Sequence, residues 1–350
     1  MSTILAPPRE PSGAPPDVGT RRLTERVFRV RESGIIAVLA LFVLVTALIQ
    51  PRFVSSSNIQ FILVNTAVYA LVALGETMVI LTRNVDLSVQ SVLALSAYLS
   101  AGLFGHVHGI PIPVVFLVGL GIGLAFGMAN GLMVSLGRVP SLVVTLATLY
   151  IIQGIDILVV GGNEVVASSL PAGFVDIPNA TILGVPWLAI AVAAVIGAGA
   201  YYLRSYRSGR ELYAIGSNPE GAQLAGIPVA KRVFTSFTLC GGIAGVGGVL
   251  WAAQYQTVDS TAGTGYELQV ISAVVVGGVA IFGGSGSAVG AAIGALLLGT
   301  INVALDVLGI SDFWDQAIAG FLLLLAITLD RGISVRLAAA LRKRSARDGT

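Results

Sequence analysis

The sequence predicts an all-α polytopic membrane protein of about ten transmembrane helices, and three observations predict it. Of the 350 residues, 55% are hydrophobic and 11% are charged, whereas a soluble domain carries about 25% charge. The apolar residues gather in runs close to the ~20 residues that a helix needs to cross a bilayer. The Lys and Arg residues cluster so that, when the runs are alternated through a membrane, nearly all of them fall on one side, as in cytoplasmic loops.

The elements follow in chain order. Residues 1–33 are rich in Pro, Ser and Arg and read as a disordered basic cytoplasmic tail. No small-x-small cleavage site follows Ile49, so this segment is expected to stay on the protein rather than leave as a signal peptide. A transmembrane domain occupies residues 34–330. Its predicted spans are Gly34–Ile49, Ile59–Leu81, Leu87–Gly105, Pro111–Leu136, Ser141–Val160, Thr181–Leu203, Val233–Ala253, Leu268–Phe282, Ala288–Leu308 and Phe313–Leu329. The third and eighth are short or interrupted. Residues 331–350 form a second basic tail.

With the N-terminus inside, Arg9 to Arg31, Arg83, Arg138, Arg204 to Arg232 and the tail from Arg331 to Arg347 all lie on the cytoplasmic side, and of the 20 basic residues only Arg52 lies outside. Outer loops instead carry Glu164, Asp176, Asp259, Glu267, Asp312 and Asp315. Removing one span would carry whole basic clusters across the membrane, so the charge pattern supports the span count, the orientation and two cytoplasmic termini together. Gly127, Asn130, Leu136 and Gly137 recur as Gly299, Asn302, Leu308 and Gly309, an offset that maps the fourth span onto the ninth. An odd number of spans per half makes the halves inverted repeats, an arrangement common in transporters.

Several function classes fall away. Net charge is +2 with no continuous basic face between the ends, so nucleic acid is not an expected partner. Cys240 is the single cysteine and can form no internal disulfide. His106 and His108 sit in an outer loop with no Cys or carboxylate at ligand spacing, so no metal site is expected. No H-E-x-x-H, G-x-S-x-G or paired-carboxylate arrangement marks an enzyme. The lysines, Lys231 and Lys343, lack the preceding G-x-x-x-x-G of a phosphate-cradling loop. Gly283 to Gly286 reads as a tight turn between two spans.

The longest internal hydrophilic stretch is Arg204 to Arg232. Asn218 and Pro219 form a helix start, with Asn capping free N–H groups and Pro in the first helical position. Glu220 then sits in the first turn, and Gly226 and Pro228 stop the helix. A cytoplasmic connecting loop and a docking helix for a partner both fit this composition.

Three segments carry a resemblance. G-R-E-L-Y-A-I-G-S-N-P-E-G-A-Q-L-A-G-I, from Gly209 to Ile227, resembles the cytoplasmic coupling segment of ribose-type ABC importer permeases. V-I-L-T-R-N-V-D-L-S-V, Val79 to Val89, and V-V-G-G-V-A-I-F-G-G-S-G-S, Val275 to Ser287, resemble two further signatures of that family. The likeness runs in order from about Gly34 to Asp330. L-T-R-N-V-D-L-S, G-T-G-Y-E-L and F-W-D-Q-A-I-A-G look most like the autoinducer-2 and rhamnose permeases. Gln90 departs from the pattern, since Gly usually follows D-[LIV]-S-V there, and a larger side chain would alter local packing or the pore lining.

The resemblance implies a permease in the bacterial cytoplasmic (inner) membrane, importing a monosaccharide or sugar-like molecule. A second permease subunit, identical or paralogous, would complete the pathway. A solute-binding protein would deliver substrate outside, and a separate ATPase would supply ATP and magnesium chemistry, so no cofactor is expected in this chain. Coupling to the ATPase would fall on Gly209, Arg210, Tyr213, Gly216, Asn218, Pro219, Glu220, Ala222 and Gly226.

The polar residues within or beside the spans are candidates for the translocation path, because buried polar groups in a membrane are costly and often functional. They are Asn65, Glu76, Asp86, Ser88, Asn130, Gln269 and Asn302. Asp86 either caps the third helix, with Ser88 in its first turn, or shapes a re-entrant segment beside the substrate. Glu76 and Asp156 either line an aqueous route or pair with neighbouring helices, and the amides Asn65, Asn130, Gln269 and Asn302 either touch substrate or bind adjacent spans. The rival function is an ion-coupled secondary transporter, which would share inverted repeats and intramembrane carboxylates but has no need of a docking helix.

Overall fold

The computed structural model describes residues 18–311 and 313–328. The described helices are α1 (Val18–Ile49), α2 (Ser56–Ile80), α3 (Val89–His106), α4 (Ile112–Ser135), α5 (Ser141–Val160), α6 (Ala172–Val175), α7 (Trp187–Ser205), α8 (Arg207–Ser217), α9 (Pro219–Leu224), α10 (Val229–Tyr255), α11 (Tyr266–Val276), α12 (Ala288–Val307) and α13 (Phe313–Thr328). A small hairpin, β1 (Thr181–Ile182) and β2 (Val185–Pro186), precedes α7. Each segment read as a span contains one of these helices. Six of them, α2, α4, α5, α7, α10 and α12, are long and apolar enough to cross a membrane.

Three boundaries differ from the sequence reading. Helix α1 begins at Val18, inside the segment expected to be disordered. The prolines of that segment, Pro7 to Pro16, all precede Val18, so nothing interrupts the backbone ladder beyond it. The rest of that segment, residues 1–17, and the second tail, residues 331–350, lie outside the described residues. Helix α7 starts at Trp187 rather than Thr181, because Thr181–Pro186 turns back on itself as the hairpin. Helix α11 stops at Val276. Its 11 residues rise about 16 Å, half of the ~30 Å hydrocarbon core, and the expected span to Phe282 is completed by a turn segment.

Helix α2 is the hub of the bundle. It is hydrophobic all round and buried along nearly its whole length against α10, α12, α11 and α7, as expected of a helix that meets protein rather than lipid on every side. Helices α4, α5 and α7 lie outside and expose Leu117, Leu132, Leu142, Tyr150, Leu158 and Ile190 among others. The pairings have a regular pattern. Helix α4 packs along α10 as α12 packs along α2; α3 meets α4 and α10 as α11 meets α12 and α2.

Small residues set the closest of these approaches. Gly119, Gly123, Gly127 and Gly131 recur every fourth residue on α4, the spacing that aligns them on one face; the first three meet Gly241 and Gly245 of α10, and Gly131 meets Phe234. A Cβ on Gly123 would strike the carbonyl oxygen of Gly241, and one on Gly245 would strike that of Gly119. Backbones in such contact gain dispersion energy that bulkier residues would forbid.

Candidate functional site

Two polypeptide breaks bring the motifs together at one end of the bundle, the basic end. Helix α2 finishes at Ile80, and the chain then runs Leu81 to Ser88 before α3 starts. Helix α11 finishes at Val276, and Gly277 to Ser287 leads into α12. Non-helical backbone inside a membrane domain is tolerated only where protein buries and satisfies it, and both stretches meet that requirement. Gly277, Val279 and Ala280 are buried, and Ala280 N–H donates to the Ser285 carbonyl at 2.9 Å, closing the turn.

The first break folds back beside the last turns of α2. There Glu76 Oε1 accepts from the Asp86 backbone N–H at 3.0 Å. Asp86 Oδ1 accepts from Ser88 N–H at 2.9 Å and from Ser88 Oγ at 2.6 Å. Asn130 Nδ2 of α4 donates to Ser88 Oγ at 2.8 Å, and Cys240 Sγ of α10 lies 3.7 Å from Glu76 Oε2. All five residues are buried. Asp86 therefore closes the turn that opens α3, two residues before the N-cap Ser88, and Glu76 satisfies a backbone amide of the same break. Asp156 is buried in α5, and its Oδ1 has no hydrogen-bond partner among the described residues.

The other polar candidates assemble at the opposite end of the bundle. Asn65 Oδ1 of α2 accepts from the Tyr255 hydroxyl at 3.1 Å. Gln269 of α11 and Asn302 of α12 both donate to Asp315 Oδ2 of α13, the latter at 2.9 Å. The rings of Tyr69 and Tyr266 stack beside them, 4.3 Å between centroids. Gln90, the departure from the family pattern, accepts from the Gly265 N–H at 3.2 Å and so links the start of α3 to the turn before α11. The seven predicted path residues thus fall into two groups at opposite ends: Glu76, Asp86, Ser88 and Asn130 are joined in one network, while Asn65 bonds Tyr255 and Gln269 and Asn302 share Asp315.

The hydrophilic segment is a two-helix corner, not a single short helix. The sequence reading placed a helix after Asn218, where α9 lies, and left Arg207–Ser217 unassigned, where α8 lies. Gly209, Leu212, Ile215 and Gly216 form the buried face of α8. Gly209 sits so close to Tyr202 and Leu203 of α7 that no Cβ would fit, and Arg210 Nη1 donates to the Ser205 carbonyl at 2.8 Å. Glu211 joins Arg207 at 2.8 Å and Arg232 at 2.5 Å. Burial raises its carboxyl, but the hydrogen bonds from Arg232 and Arg207 outweigh that effect and hold it below the usual carboxylate range. Tyr213 donates to the Gly286 carbonyl at 3.2 Å, and burial pushes its phenol up to about 12.

The corner ends in α9. Asn218 Oδ1 accepts from Gly221 N–H at 3.0 Å, Pro219 takes the first helical position and Glu220 lies in the first turn. Ala222 is buried at the base, while Leu224 at the tip is 90% exposed. Gly226, at φ +78°, turns the chain toward α10. Beside α9 lies an open cleft of about 900 Å³, bounded by Asn84, Arg138, Gln223, Ile227, Lys231 and Phe234 among others. Among the described residues no three His, Cys, Asp or Glu side chains group as metal ligands.

Sequence reasoning missed Tyr255 and Asp315 as partners of the amides, and Arg83 as a contact of the corner. Asn65 and Tyr255 are 190 positions apart, and no local pattern announces such a pair.

Comparison with known proteins matches residues 58–327 to the family described as branched-chain amino acid transport system / permease component. The ribose import permease RbsC of Escherichia coli K12 is 35% identical over 323 residues, covering 89% of this chain and 97% of that protein. RbsC of Bacillus subtilis 168 is 33% identical, covering 84% and 90% respectively. The autoinducer 2 import system permease LsrC of Enterobacter sp. 638 is 35% identical, covering 85% of each. No solved structure matches.

Proposed function

This chain belongs to the branched-chain amino acid transport system / permease component family, and on that premise we propose that it is the membrane-spanning permease subunit of a bacterial ABC importer for a monosaccharide or sugar-like molecule. The relatives named for ribose and autoinducer 2 support a small, polyhydroxylated, uncharged cargo, with rhamnose in the same chemical class. The basic end faces the cytoplasm, placing α8, α9 and both termini inside. A second permease subunit completes the path, a solute-binding protein docks at the opposite face, and lipid surrounds the exposed apolar sides of α4, α5 and α7. ATP and magnesium act in a separate ATPase. The matching helix pairings and the Asn130–Asn302 correspondence support an inverted repeat of five helices.

One observation carries this reading. Helix α9 projects from a corner bolted to the membrane body, with Leu224 exposed at its tip, and it is built from the segment Gly209 to Ile227 that resembles the coupling segment of ABC permeases. A self-sufficient ion-coupled carrier has no use for such an element.

The test is a pull-down from mild detergent with Pro219–Gly226 intact and then replaced by a Gly/Ser linker, read by mass spectrometry. An ABC ATPase retained by the native segment and lost with the linker is the expected outcome. Folded protein that captures no ATPase in either form would refute the ABC assignment and direct attention to ion-driven uptake.

A further inference from the structure

The corner that would receive a partner's thrust is held to the membrane body by its buried face on α7 and α10, and one exposed side chain, Arg83, ties its end to the break after α2. Its guanidinium donates from Nε to the Gly216 carbonyl and from Nη2 to the Ser217 carbonyl at 2.8 Å. These are the last carbonyls of α8, which have no partner within the helix and carry its negative pole, so a forked cation satisfies and neutralises them together. Arg83 itself adopts φ +66°, a left-handed conformation uncommon for a side chain of this size. Two residues earlier, Leu81 accepts from Gly284 N–H at 3.1 Å. Gly216 is wedged between Leu81 and Gly284 with no room for a Cβ.

Three segments distant in sequence therefore meet at Arg83: the corner α8–α9, the break after α2, and the turn before α12. Three residues beyond Arg83 the same break holds Asp86, which is bonded to Ser88 at the head of α3 and, through Ser88, to Asn130 of α4. We propose that Arg83 is the positioning residue that transmits displacement of the α8–α9 corner to the break between α2 and α3, and so to the head of α3 and the C-terminal end of α4. This rests on the reading of the corner as the ATPase dock. Arg83 is exposed, so it contributes little to the stability of the bundle, and its removal leaves the corner seated by Tyr213 and Gly216. A loss on its removal is then a loss of transmission.

The experiment uses the complete transporter, reconstituted in proteoliposomes with its ATPase and binding protein, and measures ATP hydrolysis and substrate uptake in the same vesicles. Arg83→Ala is expected to keep the ATPase bound and hydrolysing, with ATP consumed per molecule imported rising about tenfold, the order expected from losing a charge-assisted hydrogen bond that acts only in transmission. Arg83→Lys, whose single ammonium cannot fork across both carbonyls, is expected to fall between. An unchanged ratio in either variant, or uptake and hydrolysis falling in proportion as a merely structural defect would cause, overturns the assignment. Wild-type protein that holds no ATPase would instead remove the transporter reading, and this role with it.

Discussion

At the scale of single residues, the polar groups of this chain act mostly on backbone. Glu76 accepts from the amide of Asp86, Gln90 from that of Gly265, and Arg83 donates to the carbonyls of Gly216 and Ser217. Each satisfies a peptide group left open by a broken helix, which in a low-dielectric setting is costly to leave unpaired. Glu211 differs, because its partners are charged. A carboxyl lowered on folding stabilises the folded form above its unfolded value, near 4.5 here, and that contribution is lost as pH falls through the lower folded value. Glu211→Gln is therefore expected to lower the thermal midpoint in detergent by about 2 °C at pH 7, and the gap from wild type should close once the pH drops below the ordinary carboxylate range. A gap that stays constant with pH would mean that the two arginines do not act on Glu211 through charge. Of the two readings of Asp86, the helix cap shifts by two residues: the N-cap of α3 is Ser88, and Asp86 holds that residue by accepting from its N–H and hydroxyl.

Among the elements, the α4–α10 pair is the seam most sensitive to substitution. Its glycines touch backbone to backbone, so an added side chain must push whole helices apart rather than find a new rotamer. Gly123→Val is expected to cost about 3 kcal/mol and to abolish monodisperse protein in mild detergent. Gly121→Val, at a position with open space around its Cα, should behave as wild type in size-exclusion chromatography and in thermal melting. Equal tolerance of both would show that the seam yields more easily than its geometry implies. The spacing of Gly119, Gly123, Gly127 and Gly131 was readable from the sequence, but their partner helix was not, because fourfold spacing identifies a face and says nothing of what lies against it. Helix α8 escaped the sequence reading for a related reason. Its two glycines argue against a helix by propensity, yet they are what allow it to lie flush on α7 and on the Leu81–Gly284 contact.

For the whole molecule, the orientation has a direct test. Leu183 in the hairpin and Leu224 at the tip of α9 are almost fully exposed and are separated by α7. Cys240, the native thiol, is completely buried, so it gives little background. In intact cells a membrane-impermeant maleimide is expected to label Leu183→Cys and to spare Leu224→Cys until the cells are opened; the reverse pattern would invert the topology. By itself the sequence determined that the chain is helical and membrane-embedded, where its apolar segments lie, which face is basic and which family it belongs to, because hydropathy, charge bias and motif order are local properties that survive without coordinates. Only the tertiary structure decided that three motifs converge on Arg83, and that the seven polar candidates divide into two groups at opposite ends of the bundle. It also decided that the eighth segment is half a helix and half a turn. Those outcomes depend on which surfaces meet across the bundle, and the free energy that selects them comes from packing and from satisfying backbone groups between segments far apart in the chain.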